Sequence, residues 1–365
     1  MNRNLMIILL ILFFSHSTFA NALDIWKKTE VSAQIGITSD YVDNKQVEAR
    51  VFGVLGLVNL EMPFSETLKL NLGVGALLET GSNNSFIIDE YAPNRLWLLQ
   101  EAAFEWTPLN FISFEAGAID QSDYGSPLLV TSSAFLGARQ TISLNFGEKH
   151  SLYLKFLEAI PNNINLNQRI GVVQDGTPSY MMQTLGLQLN GDILSIKVES
   201  SRFAYNSLST GIAFQSQFLG NSVSGGSALN SSFLYGFSGF NLHEQTTLML
   251  TESFGIEFEL QYLYNEKAPE ERNKGILYEV ELLMGNWEIG GSFFRNESDS
   301  SPAYYNSKNY SHNNHEGFTT SLEYEDDKEQ REIELVYVDS SPIQFNTFQS
   351  DTKKVILNIT QELDF

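Results

Sequence analysis

Apolar and polar residues alternate with a period of two along most of the chain. The clearest example runs from Leu68 to Glu79, where every even position is apolar and the odd positions are mostly small or polar. The same alternation recurs in residues 31–38, 151–156, 185–189, 194–198, 256–264 and 276–284. Because a period of two places neighbouring side chains on opposite faces, we predict half-buried strands of about ten residues.

Helical spacing of apolar residues is largely missing, so a parallel sheet built from alternating strands and helices is not expected. After the first 22 residues, no segment approaches the 18 consecutive apolar residues that a membrane-spanning helix needs. The chain is therefore predicted to be antiparallel and all-β.

Connections of two kinds separate the predicted strands. Short turns are expected at residues 63–66, 107–110, 147–150, 190–192, 285–286 and 325–330, and longer polar segments at 81–93, 121–133, 161–178, 204–230, 296–316 and 340–351. Short turns at one rim and long loops at the other are typical of a transmembrane barrel.

The N-terminus predicts export. Arg3 precedes an apolar run from Leu5 to Phe14, and the small-residue site Ala20-Asn21-Ala22 follows a short polar stretch. This layout is typical of a secretory signal peptide, so we predict cleavage of residues 1–22 and a single barrel domain over residues 23–365.

The last predicted strand carries the most specific signal. Leu357, Ile359, Leu363 and the terminal Phe365 share its apolar face. A terminal aromatic in that register resembles the assembly signal of bacterial outer-membrane barrel proteins. Together with the alternation, the succession of short turns and long loops, and the signal peptide, this terminal residue extends the resemblance to nearly the whole mature chain. The chain resembles the porin-like outer-membrane β-barrels of Gram-negative bacteria, although no motif identifies a subfamily. The resemblance implies a closed ring, because backbone groups in hydrocarbon must be paired internally.

Strand number follows from length. Removing 22 of the 365 residues leaves 343, and roughly 20 to 22 residues per strand and connection predict about 16 strands, with 14 and 18 as alternatives. Between residues 204 and 245, Gly211–Leu219 and Phe233–Leu242 are either two further strands or part of a long loop folded into the lumen. We favour 16 strands, because residues 221–230 are rich in Ser and Gly.

Composition alone suggests a soluble protein, with 42% hydrophobic residues and a mean hydropathy of −0.14. This mean value hides two different surfaces, because the alternation places the apolar residues on a face for lipid and the polar residues on a face for water. The formal charge of −22 disfavours a nucleic-acid partner, and the absence of cysteine excludes disulfides and cysteine-based sites.

Residues opposite the apolar faces are predicted to line the lumen. Both signs occur in the first half of the chain and almost only acids in the second, which resembles the transverse field of general diffusion porins. Since acids outnumber bases about two to one, a mild cation preference is expected. The candidates are Glu48, Arg50, Lys69, Glu79, Arg95, Glu101, Glu105, Glu115, Arg139, Lys155, Lys197, Glu199, Glu257, Glu259, Glu279, Glu281, Glu288, Glu323, Glu332 and Glu334.

The porin resemblance implies passive diffusion of ions and small hydrophilic solutes across the outer membrane, without a cofactor. By the same analogy residues 121–133 correspond to a loop that folds inward in many porins, which makes Asp120 and Asp123 candidate constriction residues. The implied partners are outer-membrane lipids, lipopolysaccharide and the barrel-assembly machinery. Porins often trimerise, so a homotrimer is possible.

Other functions are weighed against this one. Inward Tyr153 and Trp97 would suit a substrate-specific channel, and a structural or adhesive barrel would have a packed lumen.

A surface hydrolase would need a nucleophile with a base in reach. Ser222 lies in a near miss of the GxSxG motif, so an enzyme is not supported. His312 and His315, with Glu316 as a third ligand, could hold a metal, but a solvated loop is the favoured interpretation.

Overall fold

The computed structural model describes residues 28–84, 91–122, 126–131, 134–147, 149–162, 176–326 and 328–364. The predicted signal peptide and two of the singled-out residues, Asp123 and Phe365, lie outside these ranges.

Sixteen strands form one closed antiparallel barrel, as predicted. The strands of the barrel are β1 (Glu30–Asn44), β2 (Glu48–Pro63), β3 (Leu68–Asn83), β4 (Arg95–Leu109), β5 (Ile112–Asp120), β6 (Ala134–Asn145), β7 (His150–Ile160), β8 (Ser179–Asn190), β9 (Leu194–Asn206), β12 (Phe237–Thr251), β13 (Phe254–Asn265), β14 (Lys274–Met284), β15 (Trp287–Asn296), β16 (His315–Asp326), β17 (Arg331–Pro342) and β18 (Thr352–Asp364). Two further short strands, β10 (Val223–Ser224) and β11 (Ser232–Phe233), lie outside the barrel. Each barrel strand pairs with the next one along the chain, β9 pairs with β12 across an inserted segment, and β1 closes the ring against β18.

The inserted segment between β9 and β12 adds no strand to the barrel. It contains one helix, α1 (Thr210–Phe218), and the separate hairpin of β10 and β11. The Ser209 side chain accepts a hydrogen bond from the Ile212 backbone amide and caps the helix. The preferred count of 16 strands is therefore confirmed over 18.

Connections differ at the two ends of the barrel, which we name the turn end and the loop end. Turns at the turn end span residues 64–67, 110–111, 146–149, 191–193, 252–253, 285–286 and 327–330, whereas the loop end carries the segments 121–133, 161–178, 207–236 and 297–314. A short 3-10 helix, Lys308–Tyr310, lies in the last of these.

The outer face of the barrel is apolar. Large side chains such as Ile35, Leu185 and Phe258 are exposed there. Near the turn end Trp106 stacks on Phe114 at 5.5 Å between ring centroids, in the position of an interfacial aromatic girdle. None of the helices in the described ranges is long and apolar enough to cross a membrane.

A β-bulge in β4 changes which side chains face the lumen. Gly73 of β3 pairs with Glu101 and the next residue, Val74, pairs with Leu99, so Gln100 is an extra residue in β4. A bulge reverses the alternation beyond it. Leu99 therefore shares the outer face with Val74, whereas Glu101 shares the inner face with Gly73.

This geometry predicts opposite environments for labels at two positions that an unbroken strand would place on one face. A spin label at Leu99→Cys should collide mainly with oxygen, which concentrates in the membrane, and one at Glu101→Cys mainly with a water-soluble nickel chelate. The chain contains no cysteine, so each label is unique. Equal accessibilities at both positions in electron paramagnetic resonance would show that the bulge is absent.

Inward side chains at the loop end pack into a buried apolar cluster that we name the lumen plug. Three loop segments contribute to it: Leu128, Leu129 and Val130 from the 121–133 loop, Ile212 from α1 and Tyr305 from the 297–314 loop. The Leu128 amide donates to Gln261 Oε1 on β13, so residues 128–130 of this loop lie inside the lumen. The wall contributes Ala103, Ile119, Phe135, Leu157, Ala159, Tyr180, Met182, Phe203, Tyr205, Phe237, Leu263, Leu277, Phe294, Val336, Val338 and Ile356.

Candidate functional site

The lumen at the turn end is open and polar. A cavity of about 710 Å³ lies against the wall of β1 to β4, and its lining includes Ser32, Asn59, Glu61, Asn71 and Glu101. These residues occupy the inward positions of their strands. The barrel therefore combines a water-accessible lumen at the turn end with the packed lumen plug at the loop end.

Inward bases on the first part of the wall have acidic partners. Lys69 Nζ lies 3.0 Å from a Glu61 oxygen and 3.3 Å from a Glu105 oxygen. Arg139 Nε donates to Glu115 Oε2 at 2.7 Å. Both bases are therefore already neutralised by acids of the neighbouring strands.

Glu199 on β9 is the centre of a buried polar network. Its carboxylate, 2% exposed, accepts hydrogen bonds from the Tyr153 hydroxyl at 2.7 Å and from Lys155 Nζ at 3.1 Å, and Lys197 Nζ lies 3.4 Å away. Several donors on one buried carboxylate compensate for its lost hydration.

His243 on β12 extends the network to the next strand. Its Nε2 lies 3.2 Å from a Glu259 oxygen and its Nδ1 lies 3.7 Å from Glu199. The network thus joins β7, β9, β12 and β13 across the inner face.

We expect Glu199→Ala to destabilise the barrel by up to about 3–5 kcal/mol, because the half-buried cations Lys155 and Lys197 lose a buried counterion. The measurement is the urea midpoint of the protein refolded in detergent. Asp192→Ala is the matched control: Asp192 pairs with Lys149 in an exposed turn, so its loss should leave the midpoint unchanged. Equal midpoints for Glu199→Ala and wild type would contradict the central role of Glu199.

Most inward acids on the second part of the wall have no basic partner among the residues that the structure describes. Among the described residues, none of these carboxylates makes a salt bridge to Lys or Arg, although some accept neutral hydrogen bonds, such as Glu257 from Gln245 at 2.6 Å and Glu334 from Asn358 at 2.8 Å. We name this set the acidic arc. It comprises Glu257, Glu279, Glu281, Glu288, Glu323, Glu332 and Glu334 on β13 to β17.

Four predicted lining residues lie elsewhere. Arg95 pairs with outward Leu78 and Trp97 pairs with outward Ala76, where Trp97 is 92% exposed, because the Gln100 bulge reverses the alternation of β4. Glu48 and Arg50 share the parity of exposed Phe52, so they face outward at the loop end.

The remaining candidates can be placed on the wall. Asp120 lies at the loop end of β5, where its carboxylate accepts from Ser122 Oγ at 2.8 Å and from Gln100 Nε2 at 3.3 Å. The candidates on inward positions are Lys69, Glu79, Glu101, Glu105, Glu115, Arg139, Lys155, Lys197, Glu199, Glu257, Glu259, Glu279, Glu281, Glu288, Glu323, Glu332 and Glu334.

The two loop histidines are buried, so the expectation of a solvated loop was wrong. His312 Nδ1 lies 2.8 Å from Asn306 Oδ1, and His315 Nδ1 lies 3.1 Å from the Asn313 carbonyl oxygen. Glu316, the suggested third metal ligand, pairs instead with Arg295 on the outer face. The described part of the chain contains no group of three or more His, Cys, Asp or Glu residues that could hold a metal ion.

Ser222 belongs to a structural hydrogen-bond network. Its hydroxyl donates to Asp299 Oδ2 at 2.6 Å and accepts from Arg272 Nη1 at 2.7 Å. Burial raises the pKa of the Asp299 carboxyl, and the hydrogen bonds from Ser222 lower it. The hydroxyl proton is held by a carboxylate, with no histidine in the hydrogen bonds described, so these contacts do not supply the Ser-His arrangement of a hydrolase.

Sequence reasoning missed two features of the lumen. One is the lumen plug. Its signal in the sequence is that apolar residues occupy both faces of a strand at the loop end, as where Leu157 follows the outward Phe156. The other is a set of inward leucines on β2 to β4, which interrupts the otherwise polar inner face at Leu55, Leu57 and Leu77.

Solved structures share this architecture at low sequence identity. Pseudomonas putida OprB is similar with a TM-score of 0.60 and 10% identity, over 93% of this chain and 96% of that one. Vibrio cholerae OmpT, an outer membrane protein, matches with a TM-score of 0.51 and 8% identity, over 92% of this chain and 99% of the OmpT loop L8 deletion mutant. OccK5 (OpdH) of Pseudomonas aeruginosa gives a TM-score of 0.51 and 10% identity over 92% and 98%.

No protein-family model matches the chain, and no curated protein is similar to it in sequence. The structural likenesses show that the chain has the fold of Gram-negative outer-membrane porins, as the sequence resemblance implied. The subfamily is not identified.

Proposed function

We propose that the protein is an outer-membrane channel through which small solutes pass passively, with a preference for cations. The observation that supports this most directly is the acidic arc facing the open turn end of the lumen, opposite a wall whose bases are already paired. Unpaired carboxylates on a low-dielectric wall attract cations and repel anions.

The barrel is oriented with its turn end toward the periplasm and its loop end toward the exterior. Its apolar outer face contacts membrane lipid, with lipopolysaccharide around the loop end. The outward residues Leu357, Ile359 and Leu363 of β18 would meet the barrel-assembly machinery. A homotrimer is compatible with this role.

The lumen plug favours a narrow, selective channel over a wide diffusion pore. Buried apolar side chains contain no water and bind no ions, so solutes must pass through a path much narrower than a barrel of sixteen strands could provide. This feature supports the alternative of a substrate-specific channel within the same class.

Single-channel recording in planar bilayers tests the proposal. We expect single-channel conductance steps well below those of an open barrel. In a potassium chloride gradient, the reversal potential should have the sign of a channel that prefers potassium to chloride. A silent barrel or clear anion selectivity would overturn the proposal, and large open-pore steps would show that the plug does not restrict the path.

A further inference from the structure

We propose that the channel binds and carries organic cations with an apolar body, such as alkyl- or arylamines. The proposal rests on the proposed channel function and names its solute class. It is based on an apolar pocket in the lumen wall and on the charge opposite that pocket.

The pocket has a volume of about 300 Å³. Gln34, Leu55, Leu57 and Leu98 line it from the inner face of β1, β2 and β4, and Leu99 and Gln100 at the bulge and Ala134 at the start of β6 complete it. Gln34, Leu57, Gly75 and Leu98 pair in one row across β1 to β4. Gly75 has no side chain, and Leu57 Cδ1 lies 3.2 Å from the position that its Cβ would take, so the Leu57 side chain packs over the glycine. An added Cβ at Gly75 would also lie 2.4 Å from the Gly56 carbonyl oxygen, so this packing requires glycine.

Neighbouring side chains make the pocket suitable for a small apolar group. The adjacent row contributes Leu55, and Gln34 and Gln100 are the polar residues of the lining. Pockets that bind small molecules are typically of this size, mainly apolar and provided with a few polar groups that orient the ligand. An inner wall that only needed to stay wet would not place leucines at these positions.

Charge opposite the pocket determines which apolar solutes fit. Strands β12 to β14 lie half-way around the sixteen-strand ring from β2 to β4. Their inner face carries Glu257, Glu279 and Glu281, which have no basic partner among the described residues. The unpaired carboxylates make this part of the lumen electrically negative, so among solutes whose apolar body packs against Leu57 and Leu98 those with an ammonium group are favoured, most strongly in dilute salt.

Channel block by matched probes tests this inference. Benzylammonium should reduce the potassium current at a concentration at least about tenfold lower than ethylammonium, which lacks the ring, or benzyl alcohol, which lacks the charge. In Leu57→Gln/Leu98→Gln the blocking concentrations of benzylammonium and ethylammonium, each measured relative to the variant's own unblocked current, should become equal. Leu229→Gln, in an exposed loop segment, is the matched control, and benzylammonium should block it at the same concentration as the wild type.

A second measurement keeps the two proposals separable. Saturation-transfer NMR with the refolded barrel in detergent should show ring contacts of benzylammonium in wild type that are lost in Leu98→Asn, without requiring conduction. If the barrel conducts but benzylammonium blocks no better than ethylammonium, the solute class is wrong and the channel stands. If the barrel does not conduct, the channel proposal fails, and absence of the NMR contacts would then reject the pocket as well.

Discussion

Replacing Glu281, Glu323 and Glu334 by lysine should reverse the ion selectivity of the channel. These carboxylates belong to the acidic arc and have no basic partner in the described residues, so each substitution changes the local charge by two units without breaking an ion pair. Selectivity in a narrow aqueous path follows the charge of its wall. The reversal potential in a potassium chloride gradient should therefore change sign.

Salt concentration and a matched variant control this experiment. Because the Debye length is about 10 Å at 0.1 M and 3 Å at 1 M salt, the reversal should be strongest in dilute solution. Glu48→Lys/Glu270→Lys/Glu271→Lys carries the same change of charge on exposed side chains at the loop end and should stay cation-selective. Unchanged selectivity in the acidic-arc variant would mean that ions do not pass along this wall.

Conductance should increase several-fold when the lumen plug is loosened. In Leu128→Ser/Leu129→Ser/Val130→Ser, three side chains that are at most 2% exposed lose their apolar packing, at a cost of about 2–5 kcal/mol for each large side chain. The strand ladder that closes the barrel does not include these residues. The 121–133 loop should therefore leave the lumen while the barrel persists, and single-channel recording would measure the wider path.

The barrel must be shown to be intact in this variant. Its strand content by circular dichroism should equal that of wild type, and Leu229→Ser, which alters an exposed loop leucine, should leave the conductance unchanged. Increased protease cleavage in the 121–133 loop with no change in conductance would show that the plug does not limit passage.

Alternation of side chains predicted most of the fold because a barrel wall has two solvents, lipid outside and water inside. Wherever a strand has lipid on one side and water on the other, as in Leu68–Glu79, the alternation of apolar and polar residues predicted both the strand and its outward and inward faces. The strand count followed from length, and the loop around Gly211–Leu219 could be separated from a strand only by the Ser- and Gly-rich stretch beside it.

Errors in the lumen have two physical causes. Counting odd and even positions cannot detect an inserted residue. The single extra residue Gln100 was therefore enough to place Arg95 and Trp97 on the wrong face of β4. The second cause is the lumen plug, which replaces water by a packed core at the loop end. There, loops rich in Asn and Ser form buried hydrogen bonds, as around His312, and a polar composition no longer means exposure.

The lumen plug has a consequence for the order of assembly. Its members come from strands between β4 and β18, and the ring closes only when β1 meets β18, so the plug can be completed only after nearly the whole chain is in place. Contacts between parts of the chain this far apart form late and slowly. The newly closed barrel would therefore pass through a stage in which its interior is wet, before the loops pack and expel the water.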